Sequence, residues 1–126
     1  MKLTEAQVKQ FNDDGWLLLP DLFTLEEVAV LRAEAEEIYK VDRPEVWREK
    51  SGAPRTAFAA HQYNEAFAIL GRHPRMINPV EQLFGEKLYM HQYKINAKAK
   101  FSGDVWQSTR TTAPGSATTA CRSRAP

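Results

Sequence analysis

Gln92, Lys94 and Asn96 stand at every second position of the stretch "KLYMHQYKINAKAK". In an extended chain, a spacing of two puts all three side chains on one face. Amides donate hydrogen bonds to a carboxylate without adding charge, and an ammonium supplies the charge. The trio therefore reads as a pocket wall that could orient a carboxylate ligand. The more ordinary reading is the wet side of a half-exposed sheet, with its polar residues facing water. Spacing leaves both readings open.

The other chemistry-bearing residues are scattered. His61, His73 and His91 are far apart, and none stands in a His-x-Glu, His-x-Asp or HExxH arrangement. His73 precedes Pro74 at a helix start, which suggests a local structural role, while His61 and His91 are expected to be buried and hydrogen-bonded. Glu34, Glu36 and Glu37 read as the solvated face of a helix. The Ser and Thr residues near the end have no base placed to activate them. One Cys excludes an internal disulfide, and no Cys–His pair has zinc spacing. The sequence as written yields no catalytic residue and no metal ligand.

The elements that must position Gln92, Lys94 and Asn96 can be read along the chain. Thr4 with Gln7 and Thr24 with Glu27 are two capping boxes. The first opens a helix that ends at Gly15. The second opens "TLEEVAVLRAEAEEIYK", where Leu25, Val28, Leu31, Arg32, Ala35 and Ile38 recur at helical spacing. Between them, "WLLLP" from Trp16 to Pro20 reads as a short buried strand. Asp42 to Pro54 is polar and broken by Pro44, Gly52 and Pro54, so a loop is expected, followed by a short extended piece in "RTAFAAHQYN". "NEAFAIL" is a turn or two of helix. Pro74 opens a further helix that stops at Gly85, with Pro79 placed to kink or restart it.

Lys87 to Lys98 then alternates as a long strand, with Leu88, Met90, Gln92, Lys94 and Asn96 on one face and Tyr89, His91, Tyr93, Ile95 and Ala97 on the other. "FSGD" makes a turn and "DVWQ" begins another strand. Helices first and strands afterwards give an α+β class, with the sheet barely begun.

Composition bounds the rest. The 126 residues amount to one small domain, and 43% apolar content suffices for a core. A net charge of +1 argues against a nucleic-acid surface. The start lacks the apolar stretch of a signal peptide, and no apolar run approaches the ~20 residues that span a bilayer. A cytoplasmic location without membrane contact is the expectation.

After Gln107 the composition changes. "STRTTAPGSATTACRSRAP" has no acid and no large apolar residue. Residues 108–126 thus read either as a disordered Ser/Thr/Ala-rich extension or as an out-of-frame translation.

"DGWLLLPDLFTLEEVAVLRAEAEEIY" and "AILGRHPRMINPVEQLFGEKLYMHQYKINAKAKFSGDVWQ" together resemble the phytanoyl-CoA dioxygenase family, including the ectoine hydroxylases. The resemblance covers roughly residues 10 to 107, and "HQYKIN.K" is its most specific part. It implies a non-haem Fe(II) and 2-oxoglutarate-dependent oxygenase on a double-stranded β-helix, or jelly roll, whose first strands alone are present here. It also implies that Gln92 and Asn96 contact 2-oxoglutarate and that Lys94 faces a small-molecule substrate. Lys98 matches a nearby family Lys of unassigned role. In the family the strand after the turn runs into His-x-Asp, and a distant His completes the facial triad.

Where that motif is due, this chain has "STRTTAPG". A one-base shift accounts for the difference. The invariant bases of the Thr, Ala, Pro, Gly and Cys codons, with AG for Ser and Arg110 and CG for Arg122 and Arg124, permit "HQDYGTWERDDGMPEPRA" from Ser108 onward when the free bases are so chosen. The expectation is therefore residues 1–107 as the N-terminal part of a dioxygenase domain and 108–126 as a disordered, out-of-frame tail. The intact protein would use Fe(II) and 2-oxoglutarate; this chain, without the metal motif, is expected to hold neither stably and to be inactive. The competing reading is a small non-catalytic helical interaction module.

Overall fold

The structure, a computed structural model, describes residues 1–98. Helices α1 (Glu5–Asp14) and α2 (Leu25–Lys40) precede a hairpin of β1 (Val46–Arg48) and β2 (Pro54–Phe58). A 3-10 turn (Ala60–Gln62), α3 (Glu65–Gly71), α4 (Pro74–Phe84) and β3 (Lys94–Asn96) follow. The three strands form one antiparallel sheet in the order β1-β2-β3. The fold is thus mixed helix and strand, and its sheet is open among the described residues.

Both capping boxes form. Thr4 Oγ1 accepts from the Gln7 amide while Gln7 Oε1 accepts from the Thr4 amide. Thr24 and Glu27 repeat the exchange at 3.2 and 2.8 Å. The second oxygen of Glu27 receives the Arg75 guanidinium, which also donates to the Leu22 carbonyl at 2.7 Å. One carboxylate therefore caps α2 and ties it to the first turn of α4. The Arg75 contact, with help from the Thr24 amide, holds the Glu27 carboxyl below its ordinary pKa. Gly15 and Gly85 close α1 and α4 in the left-handed conformation, where a side chain would be strained. Pro79 is buried within α4, which runs through it without restarting.

The core lies between α2, α3 and one face of the sheet. Ile38, Val46, Ala57, Ala60 and Phe67 are buried there, with Leu31, Ala35, Tyr39, Tyr63, Leu70, Tyr93 and Ile95 packed against them. At the N-terminus, buried Leu3 is clasped by Gln82 of α4. Its amide donates to Gln82 Oε1 at 2.7 Å, and Gln82 Nε2 donates to its carbonyl at 3.0 Å.

Several sequence expectations are corrected. "WLLLP" is not a strand: Trp16 and Leu18 are exposed, Leu17 and Leu19 half-buried, and the segment has no ladder partner among the described residues. The expected loop contains β1, whose Val46 is buried. The hairpin closes through Glu49 N to Ala53 O at 2.8 Å and Gly52 at positive φ. Glu34 does not face water alone; it accepts from Asn64 Nδ2 at 2.6 Å and so joins α2 to the cap of α3. Leu25 of the apolar stripe remains 85% exposed.

The long strand from Lys87 shortens to Lys94–Asn96. Its partner β2 ends at Phe58, and Ala59 turns away in the left-handed region at φ 52. The Ala59 amide to the Tyr93 carbonyl, 2.9 Å, is the last rung on that side. Alternation supplied the pattern for a longer strand, but among the described residues no further partner pairs with it. The expected "FSGD" turn, the "DVWQ" strand and the tail lie outside the described residues.

Candidate functional site

The sheet has two unlike faces. Val46, Ala57 and Ile95 point into the core. Trp47, Thr56, Phe58, Lys94 and Asn96 alternate onto the other face. Cross-strand register pairs Trp47 with Thr56, Thr56 with Asn96, and Phe58 with Lys94. The alternation that grouped Lys94 with Asn96 therefore holds in the structure.

Polar and apolar halves divide this face. The Thr56 hydroxyl, buried at 6% exposure, donates to Asn96 Oδ1 at 3.0 Å. Beside it, the Trp47 and Phe58 rings meet edge-on at 4.8 Å, and Lys94 Nζ lies 5.4 Å from the Phe58 centroid. An ammonium over an aromatic face gains some attraction from the ring. The surface thus offers a cation, an amide and an angled, two-ring apolar platform to a small anionic ligand.

Behind the face, two phenols hold the strand backbones. Tyr39 Oη donates to the Ile95 carbonyl and Tyr63 Oη to the Phe58 carbonyl, each at 3.1 Å. Burial raises the pKa of both hydroxyls, as it does for Tyr93; for Tyr63 the nearby Arg43, 3.6 Å over its ring, works the other way.

Gln92 is not brought onto the ladder. It is exposed and precedes β3. Leu88 and Met90 are likewise off the sheet, and Met90 Cε, with Tyr93, approaches Gly71 of α3. Lys98 is exposed just beyond β3. Sequence reasoning does not single out Thr56, Phe58 and Trp47, because Trp47 lies in a polar, Pro- and Gly-broken stretch and Thr56 and Phe58 in a short extended piece. The alternation of "RTAF" was the available signal.

The histidines divide. His73 caps α4, its Nδ1 accepting from the Arg75 amide at 3.1 Å, and its ring meets Phe23 edge-on. This is the local role expected of it. His61 is half-buried beside Tyr93, its ring 4.9 Å away, and its buried Nδ1 has no hydrogen-bond partner among the described residues. His91 is exposed and its ring meets the Tyr89 ring edge-on, which corrects the expectation of burial. The correction follows from the late start of β3, which leaves His91 outside the sheet. Among the described residues, no group of three or more His, Cys, Asp or Glu could hold a metal ion. None of their helices is long and apolar enough to cross a membrane. A mostly apolar cavity of about 210 Å³ between α2 and α3, lined by Phe23, Leu31, Ile69 and Leu70 with Glu27 and His73 at its wall, includes none of Gln92, Lys94, Asn96 and Lys98.

A family model described as phytanoyl-CoA dioxygenase matches residues 11–120. The L-proline trans-4-hydroxylase of Streptomyces griseoviridis is 37% identical over 105 residues, which are 82% of this chain and 39% of that protein. The ectoine dioxygenase of Bordetella bronchiseptica is 39% identical over 113 residues, covering 84% of this chain and 37% of that one. Two crystal structures of EctD from S. alaskensis superpose with a TM-score of 0.69. One contains 2-oxoglutarate and 5-hydroxyectoine, at 26% identity, and the other bound Fe, at 27%. Each superposition covers 75% of this chain and 35% of the other. The chain therefore spans less than two-fifths of the length of these relatives.

Proposed function

This chain belongs to the phytanoyl-CoA dioxygenase family, and on that premise we propose that its complete counterpart is an Fe(II)/2-oxoglutarate-dependent hydroxylase of a small molecule, to which residues 1–98 contribute one wall of the pocket. The carrying observation is the pairing of Lys94 and Asn96 on the open face of an antiparallel sheet, with Asn96 in register with Thr56. The relatives that bear on it are hydroxylases and dioxygenases of small molecules, and the matched crystal structures contain Fe and 2-oxoglutarate.

In this reading the Asn96 amide donates to a 2-oxoglutarate carboxylate, Gln92 adds a second amide from the segment before β3, and Lys94 faces the substrate. The Trp47–Phe58 platform keeps water from one side of the bound molecules. Charge-assisted hydrogen bonds of this kind are about twice as strong as neutral ones. Among the described residues no group of three or more His, Cys, Asp or Glu could hold iron; in this reading the metal ligands are encoded in the frame restored after Gln107. Residues 108–126 are then an out-of-frame translation, and the chain as written is inactive. Its location is cytoplasmic.

The test is genetic and then enzymatic. Restoring one base near codon 107 opens a frame encoding His-x-Asp and, later, a distal His and Arg. The resulting protein forms succinate from 2-oxoglutarate only with added iron. A stop codon soon after the repair refutes the frame reading, and an intact frame whose product makes no succinate refutes the activity.

A further inference from the structure

We propose that Thr56 is a positioning residue for Asn96, its hydroxyl seating the amide oxygen against β2 so that the Nδ2 protons face outward as donors. The argument starts from the ladder. Ala97 N donates to Arg55 O and Ala59 N to Tyr93 O, so those residue pairs are the hydrogen-bonded ones. Thr56 and Asn96 form the non-hydrogen-bonded pair between such rungs, where side chains approach most closely. Thr56 is branched at Cβ, which restricts the direction of its hydroxyl.

That hydroxyl is buried and donates to Asn96 Oδ1 at 3.0 Å, while Asn96 itself is exposed. The oxygen and nitrogen of a primary amide point apart, so holding Oδ1 inward turns Nδ2 toward the open face. Without the hydroxyl the amide can rotate and present its oxygen, which repels a carboxylate. The proposal rests on the cosubstrate reading of Asn96 only for what the amide is turned toward.

The test uses the 126-residue chain labelled with 15N, unsubstituted and as Thr56→Ser and Thr56→Val. The order parameter of the Asn96 side-chain N–H groups is expected near that of rigid backbone, about 0.85, in the unsubstituted chain and in Thr56→Ser, and below about 0.6 in Thr56→Val. An amide already below that level in the unsubstituted chain overturns the proposal and needs no variant to fold. So does an amide equally ordered in Thr56→Val. A second arm adds sodium 2-oxoglutarate to the frame-restored protein and its two Thr56 variants, where the Asn96 side-chain signals are expected to shift in the unsubstituted protein and in Thr56→Ser and not in Thr56→Val. An amide ordered through Thr56 whose signals ignore 2-oxoglutarate supports the positioning role and counts against the cosubstrate reading.

Discussion

The phenol of Tyr39 near the end of α2 donates a 3.1 Å hydrogen bond to the carbonyl of Ile95 in β3, across 56 residues of sequence. It is a direct polar link between the longest helix and the strand that carries the candidate site. Tyr39→Phe keeps the ring in the core and removes only this bond. The expected cost is about 0.5–1.5 kcal/mol, the usual net worth of one such hydrogen bond. Urea unfolding of the two proteins measures it, and equal midpoints would show that the link adds nothing.

Alkaline pH should act on the same phenols. Burial lifts the pKa of Tyr39, Tyr63 and Tyr93 above the ordinary value of 10.0. Above pH 10 the unfolded chain releases phenol protons that the folded chain retains, so unfolding is favoured. The contribution is complete below pH 10 and is lost as pH rises through the raised values. Circular dichroism at fixed urea, scanned from pH 8 to 12, should show stability falling only in the upper part of the range. A flat profile to pH 12 would contradict the burial of all three.

In the frame-restored protein, Asn96→Ala should raise the KM for 2-oxoglutarate roughly tenfold to a hundredfold, from a lost hydrogen bond worth about 1.5–3 kcal/mol to a charged group. Iron affinity should change little. His91→Ala is expected to leave both stability and KM near their starting values, within about 0.5 kcal/mol, because the ring is exposed. A reversed outcome, with His91 controlling the 2-oxoglutarate dependence and Asn96 indifferent, would mean that the wrong face carries the site.

The chain as written should bind hydrophobic dyes more strongly than the frame-restored protein. Trp16, Leu18, Leu25, Val30, Trp47 and Phe84 are each more than half exposed, and such dyes report exposed apolar surface. Fluorescence of an added dye measures it, and equal signals from the two proteins would show that this portion covers its own apolar side chains.

What the sequence revealed was set by how far each interaction reaches. Thr4 and Gln7, Thr24 and Glu27, Gly15 and Gly85 act within a single helical turn, and each helix end stands where those residues predict. Lys94 and Asn96 share a face because extended backbone alternates, which is also local. Their partners Phe58 and Thr56 lie in another strand, and the Thr56–Asn96 bond spans 40 residues. Nothing in "KLYMHQYKINAKAK" states where β2 stops, so the length of β3 could not be read from it. The run "WLLLP" failed for the same reason, since apolarity does not guarantee a ladder partner.

The clasp between Leu3 and Gln82 has a consequence for the order of events at the ribosome. Its two halves are made 79 residues apart, so α1 leaves the exit tunnel long before its anchor exists. At ~5–20 residues per second of synthesis, the interval is roughly 4–16 s. Throughout that time Leu3 has no Gln82 to hold it, and α1 is available to whatever attends the nascent chain.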